Sequence, residues 1–148
     1  MLFIELSVAT KMIADVESDN QERCGFFFGY ENSNSRTITR SIAVNNSASR
    51  NKQTHFEISA EDYLNAEHTA EEEGLVLLGV YHSHPNQPAI PSAYDLEMAL
   101  PGFSYIIISV IDKKFIKIKS WQLNKYLQFE EEEIEFKEEM QFIQSTLN

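Results

Sequence analysis

Cysteine is almost absent. Cys24 stands alone, so no internal disulfide can form and the disulfide-stapled secreted class is excluded. Glycine (5) and proline (4) are sparse in 148 residues, and no repeat or low-complexity linker divides the chain. No stretch approaches the ~18 apolar residues of a membrane span. Basic residues are also scarce, 12 against 23 acidic, for a formal net charge of −11. That balance argues against a nucleic-acid binder or an anionic-membrane binder, since both need a basic face. Met1-Leu2-Phe3-Ile4-Glu5 has no basic n-region and only a short apolar run, so no signal peptide is expected. The expectation is one cytoplasmic, acidic domain over 1–148, its core filled in part by 10 Phe and 6 Tyr.

Hydrophobic patterning supplies the elements. Leu2 to Leu6 reads as a short strand. Ser7 is the expected N-cap of a helix carrying Val8, Met12, Ile13 and Val16 at helical spacing. Cys24 to Tyr30 and Thr37 to Val44 read as strands, Asn45 to Thr54 as a loop, and His55 to Ile58 as a brief strand. Ser59 and Asp62 open a helix that Gly74 closes. Leu75 to Tyr81 is apolar and reads as a central strand. His82 to Pro91 holds three of the four prolines and is expected to leave that strand as a loop. Ser92 to Leu100 reads as a short helix, and Phe103 to Ile111 and Phe115 to Trp121 as strands. Phe136, Met140, Ile143 and Leu147 form a helical stripe, so an acidic C-terminal helix is expected over about 130–148. The fold class is mixed α/β (α+β), one mixed sheet flanked by helices.

The chemistry concentrates in Tyr81-His82-Ser83-His84-Pro85, followed after six residues by Ser92-Ala93-Tyr94-Asp95. Side chains at i and i+2 of an extended chain point the same way, so His82 and His84 present two imidazoles to one point. Asp95 follows in the first turn of a helix. Two imidazoles and a carboxylate suit a catalytic zinc site with its fourth position left to water. Spacing alone leaves a plainer reading open: exposed histidines, and a Ser92–Asp95 capping box that needs no metal.

The pattern His82-Ser83-His84-Pro85…Ser92-x-x-Asp95 resembles the JAMM motif of the MPN+ (JAB) zinc metalloprotease family, in its compact prokaryotic branch. Glu22-Arg23-Cys24-Gly25 resembles the Glu-x-Cys-Gly strand of that family, and Asn45 through Phe56 its Asn-loop-Phe segment. Asn20-Gln21 replaces a proline often found before the glutamate, and the Glu-rich tail departs from the family. The resemblance implies an MPN fold like that of cytidine deaminases and one Zn2+ per chain held by His82, His84 and Asp95. It implies that Glu22 holds the metal-bound water and shuttles its proton, and that Ser92 donates to the oxyanion. It implies hydrolysis of an amide or isopeptide bond after the C-terminal Gly-Gly of a ubiquitin-like or sulfur-carrier protein. The alternatives are a non-catalytic MPN scaffold and a zinc hydrolase of a small molecule. The missing Cys-x-x-Cys pair weighs against a zinc deaminase.

Other features are plainer. Cys24, between Glu22 and three phenylalanines, is expected to be buried and inert. His55 and His68 have no partner pattern. Residues 61–73 and 130–139 each carry a net −6, expected as solvated helix faces. Residues 32–54 carry Arg36, Arg40, Arg50 and Lys52 and no acid, a candidate docking face for an acidic partner.

Overall fold

A computed structural model describes residues 1–138. In chain order the elements are β1 (Leu2–Glu5), α1 (Leu6–Val16), β2 (Cys24–Glu31), β3 (Arg36–Val44), α2 (Ala60–Glu73) and β4 (Val76–Pro85). They continue with α3 (Ala93–Met98), β5 (Ser104–Ile111), β6 (Lys114–Leu123), β7 (Phe129–Glu132) and β8 (Ile134–Lys137). The strands form one mixed sheet in the order β7-β6-β5-β4-β2-β3-β1-β8. The mixed α+β class is therefore observed.

The two central strands, β4 and β2, are buried over nearly their whole length. Alternation along β2 sends Phe27 to one face and Phe26 and Phe28 to the other, and each face has its own core. On the first face α1 lays down Val8, Ala9, Met12 and Val16, all buried, against Phe27, Ile38 and Ile106. Full burial of a Val or Met side chain stabilises by about 1.5–3 kcal/mol. On the second face α2 buries only Ala66 and Ala70, and these small side chains let it lie close to Phe26, Phe28 and Val80. Its ends match the sequence reading. The Ser59 side chain accepts from the Asp62 amide, and Gly74 closes the helix at φ 68°, a left-handed conformation that glycine adopts without strain.

Four sequence expectations are corrected. The first helix begins at Leu6 with Glu5 as N-cap, so Ser7 lies inside its first turn. Residues 55–58 form no strand; their backbone is tied instead to Asn46 and Ser47. β4 does not end at Tyr81 but runs on to Pro85, paired in parallel with β5 as far as Pro85↔Val110. The amide of Ser83 points to Arg23 just before β2. Two residues on, Pro85 would point its missing N–H the same way, beyond the end of β2, where the ladder asks for no donor.

The fourth correction concerns the acidic segment. Residues 129–137 are two short strands, not a helix, and 139–148 lie outside the described residues. β7 pairs with β6 at one edge of the sheet and β8 with β1 at the other, with only Glu133 between them. Two edges joined by so little chain must lie close together, so the sheet curls until they nearly meet. The Leu2 amide closes the join by donating to the Glu133 carbonyl at 2.9 Å.

Candidate metal centre

Because β4 stays extended through Pro85, His82 and His84 leave the same face of one strand, and both are almost fully buried. Their Nε2 atoms lie 3.1 Å apart. Asp95 Oδ2 lies 3.3 Å from His82 Nε2 and 3.1 Å from His84 Nε2. The carboxylate is aimed by its own helix start: the Ser92 amide donates to Asp95 Oδ2 at 2.9 Å, and the Asp95 amide donates to Ser92 Oγ at 3.0 Å. The capping box and the convergence on the histidines thus coexist, and one carboxylate oxygen serves both.

Each imidazole is oriented from behind. His84 Nδ1 donates to the Pro88 carbonyl at 2.8 Å, which leaves the Nε2 lone pair of a neutral ring facing the centre. His82 stacks on Phe56, with ring centroids 4.3 Å apart and planes inclined by 24°. Burial holds His82 below the ordinary histidine range. Burial opposes ionisation of Asp95, but the two imidazoles and the Ser92 amide outweigh it and hold this carboxyl well below the usual range. Three lone-pair donors, two nitrogens and one oxygen, therefore crowd one point. Such a set is costly to bury without a cation between its members and matches the ligand chemistry of a three-residue zinc site.

Glu22 sits beside this cluster. Cys24 is paired across with His82, so Glu22, two residues earlier, shares that face of the sheet. Its side chain is buried, and Oε1 has no hydrogen-bond partner among the described residues. Burial, and then the charge of Asp95, push its carboxyl up to about 9. Glu22 lies just outside β2, and its backbone is held by the 45–57 loop: its amide donates to the Lys52 carbonyl at 2.7 Å and its carbonyl accepts from Asn46 Nδ2 at 3.0 Å. An apolar recess that includes Phe56, Ile58, Val80 and Met98 opens against His82 and Asp95.

The structure thus brings His82, His84 and Asp95 together, with Ser92 behind the carboxylate and Glu22 on the same face. Cys24 is buried, and burial, with Asp15 and Glu22 nearby, pushes its thiol up to about 12, so it stays protonated and inert. His68 is exposed on α2, whereas the His55 ring meets Tyr94 edge-on at 4.8 Å. In the basic segment Arg36 pairs with Glu132 and Arg40 with Glu73, so two of its four charges are spent inside the chain. Asn46 and the Pro88 carbonyl are contributors that the sequence reading missed, and Phe56, read there only as the end of the Asn-loop-Phe segment, was given no place at the site. The Pro88 carbonyl is a backbone group, and no side-chain pattern marks it.

The family model described as prokaryotic homologs of the JAB domain matches residues 6–124. The chain is 36% identical to a desampylase of Pyrococcus furiosus over 74% of this chain and 72% of that protein. It is 26% identical to a CysO-cysteine peptidase of Mycobacterium tuberculosis, covering 83% of each. The solution structure of a protein from Desulfitobacterium hafniense superposes with a TM-score of 0.83 at 32% identity, covering 96% of this chain and 97% of that one.

Proposed function

The chain belongs to the family of prokaryotic homologs of the JAB domain, and from that membership we propose that it is a zinc-dependent peptidase acting as one catalytic domain. Its substrate is an amide or isopeptide bond after the C-terminal Gly-Gly of a ubiquitin-like or sulfur-carrier protein. The relatives named as a desampylase and a CysO-cysteine peptidase support that substrate class. The observation that carries the reading is the convergence of His82, His84 and Asp95 beside a buried Glu22 with an unpartnered oxygen.

His82, His84 and Asp95 would hold the zinc, which would supply a Lewis acid and bring the pKa of water down to about 7. The remaining work falls to the chain. Beside a dication the Glu22 carboxyl ionises more readily than its buried position alone allows. Glu22 then accepts the proton of the attacking water at Oε1 and returns it to the departing nitrogen as the C–N bond breaks. The Ser92 oxygen accepts from the Asp95 amide, which leaves its hydroxyl proton to donate toward the carbonyl oxygen as negative charge develops there. The apolar recess excludes water from one side of the reacting bond.

The test uses zinc-loaded protein and carrier proteins ending in Gly-Gly, joined either to a lysine side chain or to a single amino acid, with products read by mass spectrometry. Cleavage after the second glycine is expected. Chelator abolishes it, and Glu22→Gln lowers it on the order of 1,000-fold while zinc stays bound. Intact adducts in the presence of protein holding one zinc per chain would reject the reading.

A further inference from the structure

Asn46 makes four hydrogen bonds through one side-chain amide. Its Nδ2 donates to the carbonyls of Glu22 at 3.0 Å and His55 at 2.9 Å. Its Oδ1 accepts from the amides of Ala48 at 3.0 Å and Glu57 at 3.1 Å. Both N–H groups meet carbonyls and both lone pairs meet amides, so the orientation is unique and the capacity of the group is filled. These bonds join three stretches of chain that share no strand or helix. The first is the backbone of Glu22, whose amide is held by Lys52 from the same loop. The second is the start of the loop. The third is 55–57, which carries Phe56 onto His82.

We propose that Asn46 is a positioning residue for the reaction: its amide locks the 45–57 loop so that the Glu22 carboxylate and the Phe56–His82 stack are set together. The inference rests on the proposed role of Glu22. The physical reason is that Glu22 lies outside the sheet, and its two backbone hydrogen bonds both end on this loop. A shift of the loop moves the carboxylate against the ligand cluster, and catalysis is sensitive to displacements of about 1 Å. The amide also reaches the metal site from a second direction, through the ring that covers His82.

Asn46→Asp tests this. It keeps size and the accepting oxygen but replaces the NH2 group and its two donors by one oxygen facing the carbonyls of Glu22 and His55. Assayed well below its own Tm, the variant is expected to lose on the order of 10–100-fold in kcat, with KM nearly unchanged and one zinc per chain retained. Introduced into Glu22→Gln, the same change is expected to cost clearly less than it does alone, because the carboxylate it positions is already gone and only its effect through the Phe56–His82 stack remains. An unchanged kcat in Asn46→Asp, or equal losses in both backgrounds, would overturn the proposal. If the variant does not fold, amide exchange on the unaltered protein decides. Glu22, Ala48 and Glu57 are expected to be protected to a common level, and near-free exchange at Ala48 and Glu57 would reject the lock. Should Glu22→Gln remain fully active, the proposed function fails. Should it be inactive while Asn46→Asp is not, only the role of Asn46 fails.

Discussion

Glu22 holds a carboxyl whose ordinary pKa of 4.5 is raised to about 9 by burial and by the charge of Asp95. In the metal-free protein at intermediate pH the folded chain keeps a proton that the unfolded chain has lost. The stability that Glu22 contributes is therefore full below about 4.5 and declines as pH rises toward 9, with a limiting slope of about 1.4 kcal/mol per pH unit for one proton. Between pH 5 and pH 8 the urea midpoint of metal-free protein is expected to drop relative to that of Glu22→Gln, with His82, held below its ordinary range, adding an opposite slope to both. Repulsion among the excess acids adds a slope common to both proteins, so the difference between the curves carries the result; parallel curves would remove Glu22 as its source. At this scale the convergence of His82, His84 and Asp95 was legible because each link is local: i and i+2 on a strand, and Ser92 three residues before Asp95. Glu22 was found through family resemblance, since nothing in its immediate sequence distinguishes it from the other acids. Asn46 looks like any polar loop residue until the fold sets it beside Glu22.

Strands β4 and β5 are held together around Gly79. A Cβ at Gly79 would lie 1.9 Å from the Ser104 carbonyl oxygen and 2.7 Å from the Phe27 ring, contacts no side chain can make. Gly79→Ala is therefore expected to force the β4–β5 pair apart and to destabilise by several kcal/mol, read as a lost or strongly shifted denaturation transition. A shift worth less than about 1 kcal/mol would show that the pair yields easily. Element ends divide into two kinds. The caps of α2 and the N-cap of α3 rest on contacts within about four residues and were readable, whereas α3 stops at Met98, two residues before the expected Leu100. The end of β4 was not, because Pro85 is tolerated only where its neighbour β2 has already stopped. The β5–β6 hairpin turns through Asp112 and Lys113 at φ 50° and 63°, left-handed values without the usual glycine, yet the flanking apolar runs still located both strands.

The molecule as a whole is closed by residues 129–137. Glu132 accepts from Ser120 Oγ at 2.7 Å and from Ser104 Oγ, and it lies 3.7 Å from the Arg36 guanidinium. Arg36 in turn donates to the carbonyls of Leu78 and Gly102 and to Ser104. The side chains of both ions are mostly buried, so removing one strands the other. Glu132→Ala is expected to cost about 3 kcal/mol in chemical denaturation, and a cost below about 1 kcal/mol would mean that the closing segment is held by backbone pairing alone. The acidity of this segment, read from sequence as a solvated helix face, is partly structural. One of its glutamates neutralises a buried arginine across the sheet, while Lys119 pairs with Glu131 on the outside.

The sequence by itself determined what short-range physics controls: the single mixed sheet class, the caps of α2 and the N-cap of α3, the two imidazoles on one side of a strand, and the aspartate at a helix start. Tertiary structure decided what depends on partners far along the chain. It turned Glu-rich residues of good helix propensity into β7 and β8, because two open sheet edges offered backbone hydrogen bonds that a lone acidic helix could not match. It also selected Glu22 from many acids, because a loop more than 20 residues away in sequence holds its backbone beside the histidines. A carboxyl acquires a raised pKa only from the burial and charge around it, and those surroundings exist only once the chain has folded.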